Sequence, residues 1–62
     1  MKYFADLHDS YFEIKDIETH DTIYSVTFSE AGITENDPEY TCKMDDYLET
    51  VLNISPDEWE VG

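Results

Sequence analysis

Sixteen aspartates and glutamates stand against three lysines and no arginine in this chain of 62 residues, a formal net charge of −13. This imbalance constrains the fold more than any other feature of the sequence. Lys2, Lys15 and Lys43 can each neutralise one carboxylate, and carboxylates without partners are almost never buried. Whatever structure forms must therefore turn nearly all of its acids to water and build its interior from apolar residues alone. A field this one-sided also repels itself and destabilises the compact state, which makes a basic binding partner the obvious source of compensation.

Five Tyr, three Phe and one Trp separate the chain from acidic sequences that stay disordered for lack of apolar surface. Their placement is periodic. Between Ile23 and Ser29, Tyr24, Val26 and Phe28 alternate with Ser25, Thr27 and Ser29, the period-two pattern of a half-buried strand. Tyr11 to Ile17 reads as a second strand, with Phe12 and Ile14 on one face and Tyr11, Glu13, Lys15 and Ile17 on the other, and the polar stretch Glu18-Thr19-His20-Asp21 turns one strand into the next. Residues 2–9 are ambiguous, with Phe4, Leu7, Tyr11 and Ile14 at helical spacing and Tyr3, Ala5 and Leu7 fitting the short strand preferred here. Tyr40, Cys42 and Met44 against Glu39, Thr41 and Lys43 suggest another strand, although Pro38 would also suit the first turn of a helix.

From Asp46 the period lengthens: Tyr47, Leu48, Val51 and Leu52 share a helical stripe, and Asp46 with Glu49 reads as a capping box opening a short helix that ends near Asn53. Ser55-Pro56-Asp57-Glu58 repeats the start signal for a single turn that folds Trp59 back onto the body. The expectation is one domain over residues 1–62, of α+β class: a small antiparallel sheet of three to four strands with one short C-terminal helix packed on it. A domain of this size has a core that only just outweighs chain entropy.

Several function classes are disfavoured. Binding phosphates requires the Lys and Arg that are missing, so neither direct nucleic-acid binding nor attachment to an anionic membrane is expected. No signal peptide or membrane-spanning run of apolar residues is seen. Cys42 alone forms no intrachain disulfide, which fits a reducing cytoplasm, and its place on the apolar face of its strand marks it as a buried, inert thiol. His8, His20 and Cys42 lack the close pair spacings of zinc sites, and Asn36, Asp37 and Glu39 near Gly32 do not follow the order of a calcium loop. No metal, cofactor or enzymatic activity is expected.

What remains is the pattern of carboxylates. Phosphates along one DNA strand follow one another every ~6–7 Å once winding is added to the ~3.4 Å axial rise. Same-face side chains on a strand lie about 6.6 Å apart, and helical neighbours three or four apart about 5–6 Å. Asp16 and Glu18, then Glu35, Asp37 and Glu39, then Asp46 and Glu49, then Asp57, Glu58 and Glu60 can therefore imitate a phosphate row. In size, charge and lack of catalytic equipment the whole chain resembles the small phage-encoded DNA-mimic inhibitors, among them anti-CRISPR and anti-restriction proteins and inhibitors of uracil-DNA glycosylase. The resemblance is compositional and carries no family residue over to this chain.

That resemblance implies an inhibitor, monomeric or homodimeric, whose acidic surface occupies the basic nucleic-acid site of a target protein such as a CRISPR effector, a restriction enzyme or a glycosylase. Exposed aromatics such as Tyr11 or Trp59 would fill pockets at the centre. An antitoxin-like or immunity-like module, which neutralises a basic protein without imitating DNA, is the second expectation. Crowding is also expected to make the carboxylates hold their protons more tightly in the folded chain than in the unfolded one.

Overall fold

The computed structural model describes residues 1–34 and 36–62. Strand β1 (Tyr3–Leu7) pairs antiparallel with β2 (Tyr11–Asp16), and β2 pairs antiparallel with β3 (Thr22–Thr27). A helix, α1 (Tyr40–Tyr47), widens into a π-helical coil over Leu48–Leu52. A 3-10 turn at Pro56–Glu58 then leads into β4 (Trp59–Val61), which lies parallel to β1, so the sheet is mixed and runs in the order β3-β2-β1-β4. The α+β architecture, the strand from residues 2–9, and the hairpin of β2 and β3 match the sequence reading; the parallel β4 is an addition to it.

Local chemistry explains two reversals of the chain. In the β2–β3 turn the Asp16 carboxylate accepts hydrogen bonds from the N–H groups of Glu18 at 2.8 Å and Thr19 at 3.1 Å, while His20 takes the left-handed conformation (φ 64°) that closes the turn. Ser55 and Glu58 form the capping box read from the sequence: the Glu58 carboxylate accepts from the Ser55 N–H at 3.2 Å and its hydroxyl at 3.1 Å. The turn hands the chain to β4, which is tied to β1 by hydrogen bonds from the Lys2 N–H to the Glu58 carbonyl (2.9 Å) and from the Gly62 N–H to the Ala5 carbonyl (3.0 Å).

The expected strand around Tyr40, Cys42 and Met44 is instead the first part of α1. A period of two and a helical step of four both select Tyr40 and Met44, and only continuation to Leu48 and Leu52 distinguishes them. Met44 and Leu48, four apart on one helix face, are fully buried. Consequently Asp46 and Glu49 are no capping box, because the helix has already begun. Its opening is Asp37-Pro38-Glu39: the Asp37 carboxylate accepts the Glu39 N–H at 2.9 Å and the Asp37 carbonyl accepts the Tyr40 N–H at 3.3 Å. The helix ends where the sequence places its end, at Asn53 in the left-handed conformation (φ 57°), with the N–H groups of Asn53 and Ile54 both donating to the Leu48 carbonyl.

Strand register puts Ala5, Phe12, Ile14 and Val26 on one face of the sheet, and Met44 and Leu48 of the helix cover them, with Ile33 and Ile54 closing the edges. Tyr47 reaches toward β3, where its hydroxyl and that of Tyr24 lie 2.8 Å apart; this bond and burial push the Tyr47 phenol up to about 12. On the other flank the Trp59 indole N–H donates to the Asp45 carboxylate at 3.3 Å. Among the described residues no charged residue is buried as a whole, although the side chain of Asp37 is largely covered. Cys42, expected inside, is exposed on the outward face of α1, a consequence of the helix replacing the strand. Among the described residues, no helix is long and apolar enough to cross a membrane.

Truncating the seam tests this account. Leu48→Ala is expected to cost about 2–5 kcal/mol, a large share of the roughly 3–9 kcal/mol typical for a chain of this length. Urea denaturation followed by circular dichroism should show a much lower midpoint than for Thr50→Ala, which changes an exposed position.

Candidate functional site

The carboxylates divide into two groups. Each lysine holds one: Lys15 Nζ lies 3.2 Å from Asp6, Lys2 Nζ lies 3.4 Å from Glu58, and Lys43 binds Asp37. Others serve as local acceptors. Asp16 closes the hairpin, Glu30 accepts from the Thr27 hydroxyl, Asp45 holds Trp59, and Glu13 accepts from Thr22 and lies beside His8. Of the carboxylates expected to bind a partner, Asp16, Asp37 and Glu58 thus belong to the scaffold.

Asp37 is the most committed of these. Its side chain is only 6% exposed, and Lys43, followed by the Glu39 N–H, holds its carboxyl down from 3.8 to about 2. Lys43 is correspondingly shifted up by the same bond. Glu58 is also shifted down, first by the Ser55 N–H, then by the Ser55 hydroxyl and Lys2. For these two groups the expected upward shift is reversed, because donors within hydrogen-bond reach outweigh the diffuse repulsion of more distant carboxylates.

The second group makes no hydrogen bond or ion pair among the described residues, and every member is exposed. Glu39, Asp46 and Glu49 lie on the outward side of the helix, opposite buried Met44 and Leu48, with Asp46 and Glu49 one turn apart. Glu18 and Asp57 lie in turns at the same end of the sheet. There β2 turns toward β3, and hydrogen bonds from the Ile17 N–H to the Lys2 carbonyl and from the Lys2 N–H to the Glu58 carbonyl join the two turns through the start of β1. Glu60, paired in register with Phe4, stands on the sheet face away from the helix. Glu35 lies outside the described residues.

Sequence reasoning leaves out Asp21, beside Glu18 in the hairpin turn, and offers Asp9, in the β1–β2 turn at the opposite end, only as an alternative surface together with Asp6 and Glu13. Asp9 shares a groove with Thr34, Asp37 and Tyr40 at the start of the helix. The helix therefore leads from Asp9 and Glu39 at one end, past Asp46 and Glu49, toward Asp57, Glu18 and Asp21 at the other. Both acids sit in turns, where a polar residue is ordinary and its neighbours in space are unreadable. Of the expected aromatic anchors, Tyr11 is 36% exposed, whereas Trp59 is half-buried and already engaged by Asp45.

The open face of the sheet holds a further grouping. Asp6 and Glu13 face each other directly in the β1–β2 register, and His8 reaches between them. Its Nε2 atom lies 3.1 Å from Glu13 Oε1 and 3.3 Å from Asp6 Oδ2. These three atoms, which are all of metal-ligating type, lie within 4.8 Å of one another. The hairpin brings them together from positions whose linear spacing matches no familiar metal motif.

Comparison of the chain with protein-family models, curated proteins and solved structures finds no match.

The two groups of carboxylates act oppositely on stability. Asp37 binds its proton less tightly in the folded chain than in the unfolded one, as does Glu58, so the folded state loses stability as pH falls from about 4 toward 2. At neutral pH, added salt should raise stability by screening the acids that have no partner. Thermal melting should show a midpoint that rises with salt at pH 7 and drops below about pH 4. An acid-stabilised protein would show instead that general repulsion dominates these local bonds.

Proposed function

We propose that this protein inhibits a nucleic-acid-binding protein by presenting its acidic surface to the target's nucleic-acid site in place of a phosphate backbone. The observation that supports the reading most is the row of exposed, partnerless acids that follows the helix from one end of the molecule to the other. Every lysine is already paired within the fold. The surface is thus left to attract external cations, and the scaffold carboxylates do not compete for them.

Scale is compatible with this reading. The longest extent of the molecule is 30 Å, the span of roughly nine base steps at ~3.4 Å each. Asp46 and Glu49, one helical turn apart, are spaced like neighbouring phosphates, and their side chains are mobile enough to meet target Lys or Arg in charge-assisted hydrogen bonds. Long-range attraction between a strongly negative body and a basic channel would give fast, salt-sensitive association.

The test is competitive capture. The immobilised protein, incubated with host lysate at low salt, should retain a basic protein that is released both by a duplex DNA oligonucleotide and by raised salt. The combined substitution Glu39→Gln, Asp46→Asn and Glu49→Gln should leave the melting temperature equal or higher. It should weaken capture at least about tenfold, at roughly 0.5–1 kcal/mol for each exposed ion pair lost. A captured protein that stays bound while also holding DNA would overturn mimicry in favour of an immunity-like module.

A further inference from the structure

We propose that Asp6, His8 and Glu13 form a divalent-cation site on the open face of the sheet, selective for a borderline metal such as Zn²⁺ over Mg²⁺ or Ca²⁺. This inference does not depend on the inhibitor reading. The two carboxylates face each other across paired strands, an arrangement that costs stability when like charges stand opposite with nothing between them. His8 is placed to mediate. Its ring stacks on Tyr11 with centroids 4.4 Å apart and planes inclined by 7°, which fixes its direction, and the β1–β2 turn is closed by its own N–H donating to the Tyr11 carbonyl at 2.9 Å.

Two of the three separations suit a metal directly, and the third, between the carboxylate oxygens, is within 4.8 Å. For ligand bonds of about 2.0–2.1 Å, neighbouring ligand atoms in a tetrahedral or octahedral shell stand roughly 3–3.4 Å apart. The Nε2 atom meets that requirement toward both carboxylates, at 3.1 Å to Glu13 Oε1 and 3.3 Å to Asp6 Oδ2. A cation placed among the three would replace one shared N–H with three direct bonds and remove the cross-strand repulsion. The donor set is one imidazole and two carboxylates, which suits zinc and its neighbours, whereas magnesium and calcium prefer oxygen alone.

Lys15 stands against the site, with Nζ 3.2 Å from Asp6 Oδ2. Its charge offsets one carboxylate, but it need not leave, because Asp6 has a second oxygen to accept it while the first binds metal. A hydrogen bond to a ligating carboxylate is the usual outer partner of a metal ligand. Three protein ligands leave further positions of the shell to water, and with His8 exposed and both acids half-buried these are open to exchange.

Zn²⁺ alone is the probe, titrated into the intact chain at neutral pH by calorimetry and by NMR of the histidine rings. One ion per chain is expected at the strongest site, with the His8 ring resonances shifting and those of His20 unmoved, and with a higher melting temperature in zinc. His8→Gln and Glu13→Gln should each weaken this binding at least tenfold, whereas Glu49→Gln should leave it unchanged. His8 is exposed, so its variant should stay folded, and a cooperative melting transition without metal verifies this. Equal zinc affinity in His8→Gln would overturn the site and show only diffuse attraction to the acidic surface. Magnesium moving the His8 resonances as zinc does would overturn the selectivity.

Discussion

The structure depends on the seam where Met44 and Leu48 lie over Ala5, Phe12 and Ile14. With only apolar residues in the core of the described residues, these side chains and their few neighbours must supply the burial that offsets chain entropy and self-repulsion. The π-helical coil after Tyr47 keeps Leu48 beneath the helix and lets Leu52 pack against the core before Asn53 reverses the chain. From that reversal follow the turn at Ser55 and the return of Trp59 beside β1, so the last strand of the sheet is a consequence of how the helix ends.

An acidic composition is used here for construction as well as for surface. Asp16, Asp37 and Glu58 each stand at a reversal where backbone N–H groups need an acceptor, and each supplies one with a carboxylate. This is the cheapest place for an acid in a chain short of cations, since peptide N–H groups are always available. The lysines reinforce two of these same points, at Asp37 and Glu58, and the third braces Asp6 on the open sheet. Each cation is thereby tied to a scaffold carboxylate, Lys43 on the helix included, and Glu39, Asp46 and Glu49 on the helix's outward side are left without an ion-pair partner among the described residues. The division between internal and external electrostatics supports the proposed role, because a surface with no internal partners loses little when a basic channel engages it.

The sheet has two unlike faces. One is apolar and covered; the other is open and carries Asp6, Glu13, Lys15, Tyr11 and Glu60 in strict alternation with the core residues of the same strands. This alternation was legible in Phe12 and Ile14 against Glu13 and Lys15. That Asp6 meets Glu13 was not, since it requires the register of two strands joined by a turn whose geometry the residues His8-Asp9-Ser10 do not announce. The grouping of His8 with both acids is therefore a product of pairing, invisible to any search of linear spacings.

Much of the rest was local and hence readable. The β2–β3 hairpin, the end of the helix at Asn53 and the capping box at Ser55 each depend on residues within a few positions of one another, whose hydrogen bonds form wherever the chain lies. The helix start was misplaced because Tyr40, Cys42 and Met44 satisfy a two-residue alternation, and only burial of Met44 and Leu48 by a distant sheet decides between the periods. The acid-rich sequence by itself determined that the surface would be negative and the interior small, because too few cations exist to neutralise the rest. Which carboxylates the three lysines and Trp59 would hold, and which would be left free, was decided by the tertiary structure. Whether a donor stands within hydrogen-bond reach of an acid depends on how strands, turns and helix are brought together.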